Sequence, residues 1–127
     1  MGDKGLSVLL VDDSLLVRKQ LRGMLEEMNC TVLEAANGVQ AVDIVAKDKP
    51  DLVLMDIVMP ETDGIETLKK IKEINQAVKI VMVSSVGTQS YLKEAIKSGA
   101  FDFLQKPVDK EALQRLVGKL QKAGSEA

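Results

Sequence analysis

Asp51-Leu-Val-Leu-Met-Asp-Ile-Val-Met-Pro-Glu-Thr-Asp-Gly64 is the stretch whose reading decides the fold. Its apolar run, Leu52 to Met55, is too short for an ordinary helix and suits a strand buried on both faces, as in a parallel sheet. The run stops at one carboxylate, Asp56. Pro60 and the cluster Glu61-Thr62-Asp63-Gly64 read as loop. Asp56 therefore stands at the carboxyl end of a central strand, where open α/β sheets place their chemistry. The plain alternative is that Asp56 ends the strand in solvent, as most aspartates would.

The rest of the chain repeats this alternation. Leu6 to Val11 reads as a first strand ending on Asp12-Asp13, and Ser14 can cap the next helix. Val17, Leu21, Met24, Leu25 and Met28 give that helix one apolar face. Thr31 to Ala35 is a second strand, and Glu34 within it predicts a place at the sheet edge. Asn37-Gly38 is a turn before a helix carrying Ala41, Val42 and Val45, which ends near Pro50. After the central strand, Gly64 opens a third helix with Ile65, Leu68 and Ile71 on one side. Lys79 to Val83 is a fourth strand, ending on Ser84-Ser85. A weaker helix, Thr88 to Lys97, carries Leu92, Ala95 and Ile96 and stops at Gly99. Phe101 to Gln105 alternates as an edge strand should, and Lys106-Pro107 follows. Asp109 caps a last helix striped by Leu113, Leu116, Val117 and Leu120. Five strands alternating with five helices through short connections predict an α/β fold, a doubly wound parallel sheet with the flavodoxin-like order 2-1-3-4-5. One domain is expected over 1–127, with 1–5 and 122–127 flexible.

Composition narrows the function. The 127 residues suffice for one core, and 46% apolar with 28% charged residues is ordinary for a globular protein. Aromatics are 2% and the net charge is −2, which argues against direct nucleic-acid binding. The single cysteine, Cys30, cannot form an internal disulfide and reads as a small buried residue. Neither a signal core nor a run of transmembrane length occurs, so a cytoplasmic protein without membrane insertion is expected. There is no histidine, which rules out a histidine nucleophile or phosphohistidine carrier. Carboxylates, hydroxyls and lysines must carry whatever chemistry there is.

Those groups sit at the strand ends: Asp12 and Asp13, Asp56, Ser84 and Lys106. A parallel sheet brings all of these ends to one edge. Clustered carboxylates repel one another and call for a cation. Mg²⁺, an oxygen-seeking ion held by a few carboxylates, is the natural candidate. Carboxylates, Mg²⁺, an ammonium and a hydroxyl around one oxygen nucleophile suit phosphoryl transfer, with Asp56 as acceptor.

Val-Asp-Asp-Ser at 11–14, Met-Asp-Ile-Val-Met-Pro at 55–60 with Asp63-Gly64, Ser84 and Lys106-Pro107 together resemble the receiver domain of two-component response regulators. The likeness spans nearly the whole chain and is to the stand-alone, CheY-type regulators. It implies a signalling switch rather than an enzyme with a separate substrate, one that promotes only its own phosphorylation and dephosphorylation. Asp56 would accept a phosphoryl group from a histidine kinase. Asp13 and Asp56 would bind Mg²⁺ directly, Asp12 mainly through water, and the carbonyl of Val58 would complete the protein ligands. Ser84 would hydrogen-bond the phosphoryl group and Lys106 would pair with it, aimed at Asp56 by a cis Lys106-Pro107 peptide. Phe103 matches the family's switch aromatic, although core packing explains a phenylalanine there equally well. A downstream target protein would bind the face made by helix 4, strand 5 and helix 5. Chemotaxis is the expected setting, and a phosphorelay intermediate the alternative.

Other readings fit less well. A flavodoxin-like electron carrier would need a hydroxyl- and glycine-rich phosphate loop where Asp12-Asp13 stand. A haloacid-dehalogenase-type phosphatase wants a second Asp two residues after the nucleophile, where Val58 lies. No P-loop signature occurs.

Overall fold

The computed structural model describes residues 5–59, 62–85 and 89–125. The expected turn at Pro60-Glu61, the Thr88 start of the fourth helix and the extreme ends of the chain lie outside them. Five strands, β1 (Ser7–Val11), β2 (Thr31–Ala35), β3 (Leu52–Asp56), β4 (Lys79–Ser84) and β5 (Asp102–Gln105), form one sheet in the order β2-β1-β3-β4-β5. Every pairing in it is parallel. Five helices intervene: α1 (Leu15–Glu27), α2 (Gly38–Asp48), α3 (Gly64–Ile74), α4 (Gln89–Lys97) and α5 (Lys110–Ser125). No helix among the described residues is long and apolar enough to cross a membrane.

Strand side chains alternate between faces, and the sheet divides the core accordingly. Leu9, Val11, Val53, Met55, Ile80 and Met82 pack with Ala41 and Val45 of α2, Ile65, Leu68 and Ile71 of α3, and Ala95 of α4. Val8, Leu10, Leu52, Leu54, Val81 and Val83 pack with Leu21 and Leu25 of α1 and with Leu113, Leu116, Val117 and Leu120 of α5. All five residues of β3 are buried, as the unbroken apolar run required. Each of its four apolar side chains, Leu52 to Met55, contributes about 1.5–3 kcal/mol on leaving water.

The caps follow the sequence. Ser14 Oγ accepts from the Val17 amide, and Asp109 accepts from the Glu111 amide. Helix α4 ends as expected near Gly99, whose φ of +115° only glycine adopts without strain. Two expectations differ from what is seen. Ile96 is 48% exposed, so only Leu92 and Ala95 of the proposed α4 stripe join the core. Thr62-Asp63, expected as loop, pairs as a two-residue strand with Val58–Met59.

Candidate functional site: an acidic pocket at the carboxyl edge of the sheet

Asp12 follows β1 directly and Asp56 is the last residue of β3, the strand beside it. Their chains leave the sheet together, and both side chains are buried, Asp56 at 7% exposure. The reading in which Asp56 simply ends its strand in solvent is therefore excluded. Exposed Asp13 joins them, and one carboxylate oxygen from each of Asp12, Asp13 and Asp56 lies within 4.8 Å of the others. Lys106, just after β5, sends Nζ to Asp12 Oδ2 and to Asp56 Oδ2, 3.0 Å from each. The Lys106 amide donates to the carbonyl of Ser84 at 2.7 Å, so the end of β4 fixes where the lysine starts. The Lys106-Pro107 peptide is cis, as expected.

Local backbone holds the acids in place. Asp12 Oδ1 accepts from the Ser14 amide at 2.9 Å. Asp56 Oδ1 accepts from the Val58 amide at 3.3 Å. Beyond it, Val58–Met59 and Thr62–Asp63 pair as a short antiparallel ribbon. Asp63 then caps α3, accepting from the amides of Ile65 and Glu66. Gly64 lies against the turn after Asp56: a Cβ there would meet the carbonyl oxygen of Ile57 at 2.7 Å and that of Asp56 at 3.0 Å. Any side chain at that position would push the turn after Asp56 off α3.

Electrostatics set the two central groups against each other. Burial drives the Asp56 carboxyl upward, Lys106 opposes this, and Asp12 reinforces it, leaving the pKa above the ordinary 3.8. Burial lowers Lys106, but its hydrogen bonds to Asp12 and Asp56 outweigh that and leave it raised. A hard divalent cation suits such a donor set, since it takes carboxylate oxygens and keeps waters on its remaining positions.

Ser84 is buried at the end of β4, one residue beyond Val83, the partner of Asp56 in the sheet register. The Val58 side chain, two residues after Asp56, is 54% exposed. Phe103 is 47% exposed on β5, which removes core packing as its explanation. Tyr91 of α4 is similarly exposed. Beside Lys106, an apolar cleft of about 480 Å³ is lined by Val17, Leu21, Met24, Pro107 and Val108 among others.

Sequence reasoning missed the outer support of the acid loop. Glu34 of β2 accepts from Arg18 Nε at 2.8 Å and from Arg22 Nε at 2.7 Å. Arg18 Nη1 donates to the backbone carbonyl of Asp12 at 2.5 Å. The visible signal was a carboxylate interrupting an apolar strand, with two arginines four apart on the neighbouring helix.

The family model of the response regulator receiver domain matches residues 8–118. The chain belongs to that family. It is 44% identical over 110 residues to the chemotaxis protein CheY of Halobacterium salinarum, covering 87% of this chain and 92% of that protein. To CheY of Bacillus subtilis it is 42% identical over 113 residues, covering 88% and 94%. The sporulation initiation phosphotransferase F of the same bacterium is 36% identical over 112 residues, covering 88% and 90%. Among solved structures, the receiver domain of AraT, a response regulator from Geobacillus stearothermophilus, superposes with a TM-score of 0.86 at 27% identity, covering 95% of this chain and 96% of that one. Receiver domains bind Mg²⁺ at an acidic pocket, and in this chain Asp12, Asp13 and Asp56 form one. Receivers of the CheY type take their phosphoryl group from histidine kinases and act by binding downstream targets.

Proposed function

We propose that this receiver is a phosphorylation-driven switch in the cytoplasm, with Asp56 as acceptor and a chemotaxis-type output. The observation that carries the reading is the convergence of Asp12, Asp13 and Lys106 on the buried carboxylate of Asp56. An oxygen of Asp56 attacks the phosphorus of a kinase phosphohistidine. The P–N bond breaks, and the leaving imidazole takes up a proton. Asp12, Asp13, Asp56 and the Val58 carbonyl would hold Mg²⁺, which neutralises charge on the transferring oxygens. Lys106 neutralises a further oxygen and keeps Asp56 pointed into the pocket. The apolar cleft beside Lys106 offers a phosphodonor protein a surface to press against.

The new acyl phosphate adds roughly −1.5 to −2 charge at Asp56, and Ser84 and Lys106 are the groups placed to answer it. Ser84 draws toward the phosphoryl group, and exposed Phe103 turns inward behind it. That alters the face shared by α4 with Tyr91, β5 and α5, where the target protein binds. The likeness to phosphotransferase F supports a second reading, in which Asp56 hands its phosphoryl group on to a phosphotransfer protein.

Incubation with acetyl phosphate and Mg²⁺, followed by mass spectrometry, tests the acceptor. One phosphoryl adduct should form, and Asp56→Asn should abolish it. Adduct formation that survives in the Asn variant places the acceptor elsewhere. Asp13→Asn should separately weaken Mg²⁺ binding.

A further inference from the structure

The β1–α1 loop carries two of the three acids, yet neither side chain alone fixes the direction of the peptide between them. That peptide is gripped from outside the pocket. Arg18 Nη1 donates to the Asp12 carbonyl at 2.5 Å, while its Nε donates to Glu34 Oε1 at 2.8 Å. The Arg18 side chain is 14% exposed and that of Glu34 24%. Glu34 is itself braced on its other oxygen by Arg22, at 2.7 Å. Arg22 also donates to the Val32 carbonyl at 3.2 Å, tying α1 to the edge strand. Burial raises the Glu34 carboxyl, but the two arginines outweigh it and hold the group ionised below its ordinary range.

A planar guanidinium can serve two acceptors at fixed angles, which a lysine ammonium cannot reproduce. Fixing the carbonyl of Asp12 fixes the plane of the Asp12–Asp13 peptide, because the unit is rigid. That plane sets where the Cα of exposed Asp13 sits, the base from which its side chain reaches the pocket.

We propose that Arg18, anchored by Glu34, is a positioning residue that presents Asp12 and Asp13 to the divalent cation. The inference rests on the Mg²⁺ reading above. Calorimetric titration of the full chain with Mg²⁺ alone, beside thermal unfolding without metal, separates positioning from mere stabilisation. Arg18→Ala should raise the Mg²⁺ Kd by about threefold to tenfold, at or below the low end for substitutions behind metal ligands. Arg18→Lys should fail to restore it. Glu34→Gln, which keeps the strand side chain intact, should raise Kd in the same direction even if Arg18→Ala folds poorly. Arg22→Ala, which removes only the brace on the far oxygen of Glu34, should lower the unfolding temperature and raise Kd less than Arg18→Ala does. In an Asp13→Asn background, Arg18→Ala should have little further effect on Kd.

Wild-type Kd in both Arg18→Ala and Glu34→Gln, with only their unfolding temperatures lowered, overturns the inference and leaves the Mg²⁺ reading standing. Restoration by Arg18→Lys overturns it in favour of a charge effect. Failure of the wild-type chain to bind Mg²⁺ at all removes the reading beneath it, and the inference too.

Discussion

Removing the charge of Lys106 while keeping its stem, as in Lys106→Met, leaves two buried carboxylates facing each other. Nζ lies 3.0 Å from an oxygen of each. At that distance a unit pair is worth about 1.4 kcal/mol in bulk water and about 5.5 kcal/mol at an effective dielectric of about 20. The lysine side chain is 25% exposed and those of Asp12 and Asp56 only 7% and 9%. The site falls between the two limits, and a coupling of about 2 kcal/mol between Lys106 and Asp56 is expected, within the range for members of one ion-pair network. The carboxylate oxygens, within 4.8 Å of each other, repel by about 3.5 kcal/mol or more at the same dielectric once the lysine is gone. Asp56→Asn relieves that repulsion in the Lys106→Met protein, whereas in the wild type it also gives up the lysine contact. The Asn substitution should therefore stabilise the Met background by about 2 kcal/mol more than it stabilises the wild type. Urea unfolding of the four proteins at neutral pH in EDTA measures this. Circular dichroism must follow it, since the chain has no tryptophan. Equal effects in both backgrounds, to within about 0.5 kcal/mol, refute the account of the pocket.

Other outcomes follow from the same geometry. Because Asp56 titrates above its ordinary 3.8, its contribution favours folding below that value and is withdrawn as pH rises through the higher folded value. The stability of wild type relative to Asp56→Asn should accordingly fall from acid to neutral pH, and unfolding temperatures that run parallel contradict it. Val58→Asn should speed loss of the phosphoryl group, since a polar side chain at this open position can orient water that valine cannot. An equal or slower decay of the phosphorylated protein counts against that role. Ser84→Ala should still accept phosphate while losing most of the phosphorylation-dependent gain in target affinity, a coupling of about 1–3 kcal/mol, or roughly 5–150-fold. Undiminished phospho-dependence would show that the relay bypasses Ser84.

The architecture was legible because parallel strands buried on both faces must be apolar throughout, and Leu52–Met55 and Ile80–Val83 are. The gathering of Asp12, Asp13 and Asp56 was legible for the same reason, since two apolar runs end on them and a parallel sheet brings those ends together. Less visible was anything that depends on three-dimensional neighbours. Ile96 has helical spacing with Leu92, yet it lies exposed. Phe103 belongs to an alternating strand, but alternation does not say which face the last strand's helices cover. Arg18 and Glu34 are sixteen positions apart, so their joint hold on the acid loop emerges only once β2 lies against β1.

Lys106 and Asp12 meet across a sequence separation of 94 residues, and β5 is the last strand of the sheet along the chain. Chains are made from the amino end, and distant pairings form late because loop closure must precede them. A chain that has so far assembled only β1 to β4 already holds its acids but lacks the ammonium that ties them together. Completion of the pocket is thereby coupled to completion of the sheet.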